Sequence, residues 1–103
     1  MVYTVFTRFE WDPRKARSNV AKHGVSFELA MTAFDDPFGL VAIDETHSTP
    51  EEEREWRIGE SDEGVLVVVF TQRDQGRTCR LISARRANRR ERRGYEDLRR
   101  LSI

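Results

Sequence analysis

Six consecutive apolar residues, Val65-Leu66-Val67-Val68-Val69-Phe70, constrain this chain more than any other segment. A bilayer span takes about 20 residues, so this run is far too short to cross a membrane. Continuous rather than alternating hydrophobicity marks a strand covered on both faces, which predicts a central strand over 65–72. Ser61-Asp62-Glu63-Gly64 before it and Arg73-Asp74-Gln75-Gly76 after it have turn composition. The flanking segments 54–59 and 77–83 therefore pair with it on either side, and three consecutive strands on short turns imply an antiparallel meander.

The rest of the chain must cover that sheet. Residues 2–11 are rich in β-branched and aromatic side chains and predict a first strand ending at Asp12-Pro13. Asp12 then reads as a helix N-cap with Pro13 at the first helical position, the helix running to Lys22 and stopping at His23-Gly24. Ser26 caps a second helix whose Phe27, Ala30, Met31 and Phe34 share one face, ended by Asp35-Asp36-Pro37. Residues 38–44 read as a strand of the same sheet and 45–53 as an acidic loop. A last helix over 88–101 has a narrow apolar stripe of Ala87, Tyr95, Leu98 and Leu101. With 103 residues and 38% hydrophobic content there is room for one core, so 1–103 is expected to be one domain. The expected class is α+β: a strand, two helices, a three-stranded antiparallel meander and a C-terminal basic helix.

The chain is formally neutral but lopsided. From residue 73 onward eleven arginines, and no lysine, stand against four carboxylates, a net +7; the first 72 residues hold seven basic and fourteen acidic side chains, a net −7. Guanidinium groups donate paired hydrogen bonds to phosphate or carboxylate, so the imbalance points to nucleic acid or an acidic protein rather than to membrane. The only cysteine, Cys79, has no partner for an intrachain disulfide, and the N-terminal residues lack the features of a secretory signal; a reducing cytoplasm is expected.

Arginine placement singles out a candidate site. Two-residue periodicity puts Arg80, Ile82 and Ala84 on one strand face, with Arg85 and Arg86 straddling the strand end. Arg54 and Trp56 face one way on their strand, so Arg54 beside Arg80 would form a two-arginine phosphate clamp with Glu53 at its edge. The plainer alternatives are cross-strand ion pairs and a solvated basic helix. Cleaving RNA through its own 2′-hydroxyl needs proton removal, stabilisation of phosphorane charge and protonation of the leaving oxygen; arginines supply the second. Glu53, His23 or Tyr95 are the candidates for moving protons, although His23 at a helix C-terminus also suits capping. His47 lies in the acidic loop with no partner in view. Two separated histidines and one cysteine make no zinc spacing, so no metal or cofactor is expected. Cys79 reads as a packing residue, and Ser83 lacks the setting of a hydrolase nucleophile.

Phe9-Glu10-Trp11-Asp12-Pro13, Lys22-His23-Gly24-Val25-Ser26-Phe27, Phe34-Asp35-Asp36-Pro37 and Ile82-Ser83-Ala84-Arg85-Arg86-Ala87, with Arg89-Arg90-Glu91-Arg92 and Tyr95, form an ordered set. Together they resemble the BrnT family of type II toxins. That resemblance implies a RelE-like fold and a metal-independent endoribonuclease that blocks translation. It also implies a BrnA-type ribbon-helix-helix antitoxin that neutralises the toxin and joins it in a heterotetramer repressing the shared operon. Carried onto this chain, it puts Arg54 and Arg80 at the scissile phosphate, Arg85, Arg86, Arg89 and Tyr95 on the RNA, and Glu53 or His23 at proton transfer. The chain departs from relatives in carrying Glu55 and Arg57 where an apolar and a small polar residue are usual. The rival reading is a non-catalytic nucleic-acid- or protein-binding module that serves only as antitoxin partner and co-repressor.

Overall fold

Asp12 ends one element and begins the next. In the computed structural model, which describes residues 6–102, its carboxylate accepts from the Arg14 backbone N–H at 2.8 Å and Pro13 opens the helix. Before it lies the short strand β1, Arg8–Glu10; after it come α1, Pro13–His23, and α2, Phe27–Thr32, which tightens into a 3₁₀ turn over Ala33–Asp35. Gly24 supplies the left-handed residue (φ 66°) that closes α1, as its position in the sequence predicts. Four strands follow: β2 Leu40–Ile43, β3 Arg54–Ser61, β4 Gly64–Arg73 and β5 Thr78–Arg86, then α3, Arg89–Leu101. The part of the predicted first strand at residues 2–5 lies outside the described residues.

The class is α+β, with one strand more in the meander than expected. The sheet order is β1-β5-β4-β3-β2, the meander running antiparallel through β2 to β5 while β1 adds in parallel to the free side of β5. Strand β4 is central, as its composition requires. Leu66, Val68 and Phe70 pack with Cys79, Leu81 and Ala84 beneath Val25, Phe27, Ala30 and Ala33 of the α1/α2 layer. On the opposite face Val67 and Ile58 pack with Ala87 and Tyr95 under α3. Gly59 lets the 3₁₀ turn approach, since a Cβ there would sit 2.5 Å from the Ala33 carbonyl oxygen. Arg57 fastens the same turn, donating to the carbonyls of Ala33 and Asp36 at 3.1 and 2.6 Å with its guanidinium over Phe34.

Two sequence expectations fail for physical reasons. A β-bulge in β5 leaves Ile82 without a partner, because Val69 pairs with Ser83 but Phe70 with Leu81. Alternation therefore resets: Arg80 shares its face with Ser83 and Arg85, not with Ala84, which joins Leu81 in the core. The predicted stripe of α3 is also shorter than expected. Ala87 and Tyr95 are buried, whereas Leu98 and Leu101 remain 49% and 80% exposed, beyond the reach of the sheet.

Beyond Glu10 the chain leaves the sheet, and β5 would have an unpaired edge at Ala84. Asn19 of α1 fills it. Its side chain accepts from Ala84 N–H at 3.0 Å and donates to the carbonyls of Ala84 and Val25 at 2.7 and 2.9 Å, while 5% exposed. Truncation to alanine strands three buried backbone groups, so Asn19→Ala is expected to cost about 3 kcal/mol of folding free energy in a urea titration. A loss below about 1 kcal/mol would mean that water replaces the amide.

Candidate functional site

Helix α3 covers only one end of its sheet face. The uncovered part is read from the strand register, because residues directly opposite one another point to the same side. Arg54 of β3 pairs with Thr71 of β4, Thr71 with Arg80 of β5, and Arg80 with Glu10 of β1. These four side chains form one row across the sheet. Arg54 and Arg80 are thus separated by a strand rather than on adjoining ones, roughly 10 Å apart at two inter-strand spacings. Trp56, Val69 and Ser83 form the next row toward α3; Arg73, Thr78 and Arg8 form the row on the other side.

The guanidinium groups of the row are partly exposed and only partly used. Arg54, with 30% of its side chain accessible, donates through Nε to Glu52 at 3.0 Å. Arg80, 33% accessible, donates through one Nη to Glu10 at 2.7 Å. Since each guanidinium carries five N–H groups, both keep donors for a further oxyanion. Glu52 reaches Arg73 with its second oxygen at 3.3 Å, and Arg8 bridges toward Glu10 and Asp74 at 3.7 and 3.4 Å. Beneath them Thr71 is buried and its hydroxyl donates to the Glu53 carbonyl at 2.8 Å, which fixes the strand carrying Arg54.

The other predicted residues divide. Arg85 lies on the same face, two rows nearer α3, where it makes a bidentate pair with Glu91 at 2.7 and 2.9 Å. That pair, with the Asn88 backbone N–H, pulls the Glu91 carboxyl down to about 2 and locks β5 to the start of α3. Arg86 is turned to the β3–β4 turn, donating to the Glu63 carbonyl at 2.8 Å. Arg89 is exposed, and with Arg90 and Arg93 it has no carboxylate partner among the described residues. These three guanidinium groups lie on the solvent side of α3, away from the buried Tyr95.

Three assignments are corrected. Tyr95 is 1% exposed with its hydroxyl on the Asp36 carboxylate, so it has no surface for RNA. Burial and that hydrogen bond push its phenol up to about 12, so it stays protonated near neutrality and cannot act as a base. Burial would raise Asp36 in turn, but hydrogen bonds from Glu60 N–H, Tyr95 and Phe38 N–H outweigh it and hold the carboxyl below its ordinary value. Glu53 is not beside Arg54, because alternation turns it to the other face, where its charge bears on Glu55. His23 ends α1, whose eleven residues run about 16 Å from the Asp12 cap near Arg80. It is exposed and remote from the row. His47, expected to lack a partner, sits 2.9 Å from Asp44. Cys79 is buried, and burial raises its thiol well above the usual range, in keeping with packing.

Glu10 and Thr71 were missed by the sequence reading. Only the Phe9-Glu10-Trp11-Asp12 motif marked Glu10, and its neighbour Arg80 lies 70 residues away. No periodicity within either segment reports that pairing.

A basic, partly exposed β-face flanked by a cationic helix is the setting, and the sequence match decides the family. A family model described as the ribonuclease toxin BrnT of type II toxin-antitoxin systems matches residues 11–91. The chain belongs to the BrnT family. No individually curated protein matches it. As a BrnT family member it falls among ribonuclease toxins, for which the type II arrangement implies a protein antitoxin and an RNA substrate. The match covers Arg54, Arg80, Arg85 and Arg89 and begins just after Glu10. Among the described residues no helix is long and apolar enough to cross a membrane, and no group of His, Cys, Asp and Glu is placed to hold a metal.

Proposed function

We propose that this chain is a RelE-like, metal-independent endoribonuclease, acting in the cytoplasm, that seats a scissile phosphate on the open sheet face between Arg54 and Arg80. The observation that carries the reading is the Arg54–Thr71–Arg80–Glu10 row, with two incompletely used guanidinium groups on one face of a rigid three-strand platform. An attacking 2′-oxygen leaves an extra negative charge on the phosphorane. Guanidinium donors fixed by strand pairing meet that charge without reorganising, which is where such groups lower a barrier most. The RNA backbone then continues over Arg89, Arg90 and Arg93 of α3; Arg85 contributes by holding that helix through Glu91 rather than by reaching RNA freely.

Cutting RNA in this way blocks translation. The neutralising partner is a BrnA-type ribbon-helix-helix antitoxin, and the heterotetramer it forms binds operator DNA through the antitoxin. Burying the arginine face under the antitoxin inhibits the toxin by occlusion. The test uses toxin separated from its antitoxin and refolded, assayed on bulk RNA with excess EDTA. Cleavage is expected to persist at an unchanged rate, and withholding the antitoxin in cells is expected to arrest growth. Cleavage abolished by EDTA and restored by Mg²⁺ would overturn the metal-independent reading. RNA bound but left intact would favour the co-repressor alternative.

A further inference from the structure

Among the described residues four carboxylates border the open face, and they differ in what they have left to offer. Glu52 gives one oxygen to Arg54 and the other to Arg73. Glu91 gives both to Arg85, and with its carboxyl pulled down to about 2 it is a weak proton acceptor. Asp74 sits off the row at the β4–β5 turn, where the Thr78 hydroxyl hydrogen bond holds its carboxyl below the usual range. Glu10 is the remaining one. Its Oε2 accepts from Arg80 at 2.7 Å, while Oε1 has Arg8 at 3.7 Å, beyond hydrogen-bonding length. Among the described residues one oxygen is therefore anchored and the other open, on a side chain that is 31% accessible. The charges facing it are Arg80 from β5 and Arg8 from its own strand, with the Asp12 carboxylate also within the field of Arg80.

We propose that Glu10 is the general base of RNA cleavage, taking the 2′-hydroxyl proton on Oε1 while Arg80 on Oε2 fixes the carboxylate against the phosphate. The inference rests on the ribonuclease reading above. The freed 2′-oxygen forms a bond to phosphorus, the P–O5′ bond breaks, and the leaving 5′-oxygen takes a proton from water. The products are a 2′,3′-cyclic phosphate and a 5′-hydroxyl end, and Glu10 returns its proton to solvent. No electrons are exchanged with any other group.

Glu10→Gln keeps the shape and can still accept a hydrogen bond from Arg80, so it should fold normally. In single-turnover cleavage of an RNA oligonucleotide it is expected to slow the chemical step about 100- to 1,000-fold with little change in RNA affinity. The rising limb of the wild-type rate against pH should flatten, and formate should restore part of the activity of Glu10→Ala. A Glu10→Gln rate equal to wild type overturns the proposal. So does a slow variant that keeps the pH limb and ignores formate, because Glu10 then only positions Arg80. Failure of Glu10 alone leaves Arg54→Ala and Arg80→Ala still inactive, whereas a wild-type protein that cuts no RNA removes the ribonuclease reading itself.

Discussion

Arg54→Ala combined with Arg80→Ala is expected to lower RNA cleavage by at least about 1,000-fold and to abolish growth arrest. Loss of one preorganised donor at a developing oxyanion typically costs about 100- to 1,000-fold, and two donors on one phosphate act as a unit rather than independently. Folding should survive. Both side chains are about one-third accessible, and ion pairs of that kind contribute roughly 0–1 kcal/mol each. Their former partners are not stranded either, since Glu52 keeps Arg73 at 3.3 Å and Glu10 keeps Arg8 at 3.7 Å. Circular dichroism and a melting curve within a few degrees of wild type are the control. Undiminished cleavage by the folded double variant would remove the proposed phosphate seat. Arg54→Lys is the finer probe: it retains charge without the planar fork, so an intermediate rate is expected.

The second large effect is on stability, at Tyr95. Its side chain is the largest fully buried one among the described residues and the main apolar contact of α3, while its hydroxyl engages Asp36 at the end of the 3₁₀ turn. Tyr95→Ala is expected to cost about 3–5 kcal/mol, the range for emptying an aromatic site in a core. A domain of this size has about 5–15 kcal/mol in total, so the variant should melt far below wild type or fail to accumulate. Tyr95→Phe keeps the ring and should lose about 1–2 kcal/mol. RNA affinity of that milder variant should match wild type; a marked loss in a fully folded Tyr95→Phe would return Tyr95 to the binding surface. The acid side carries the same signature. Asp36 is held below its ordinary value in the folded protein, so its stabilisation is complete above the unfolded carboxylate range and is lost as pH falls through the depressed value.

Local signals in the sequence reached local structure. Asp12-Pro13 and Gly24 bound α1 and Ser26 caps α2, because each motif acts within a few residues; the Asn88–Glu91 capping box that starts α3 is equally local but was not singled out. The apolar run at 65–70 placed the central strand for the same reason. What was illegible depends on long-range pairing. The parallel docking of β1 on β5 brings Glu10 to Arg80, and nothing within residues 8–10 specifies that register. The bulge at Ile82 defeated simple alternation, moving Ala84 to the core and Arg85 to the open face. Asn19, an ordinary polar residue on a mostly polar helix, gave no sign of completing the edge of β5. The candidate proton carriers were misplaced on the same account: Glu53 and His23 are near the arginines only in sequence or by class, whereas Glu10 is near in space.

The pairing of the first described strand with the last also orders events during synthesis. Glu10 meets Arg80 from 70 positions away, so every codon through Arg80 must be translated before the row can exist. Nascent fragments short of β5 lack it altogether, so the proposed phosphate seat can form only after the last strand of the sheet has been made.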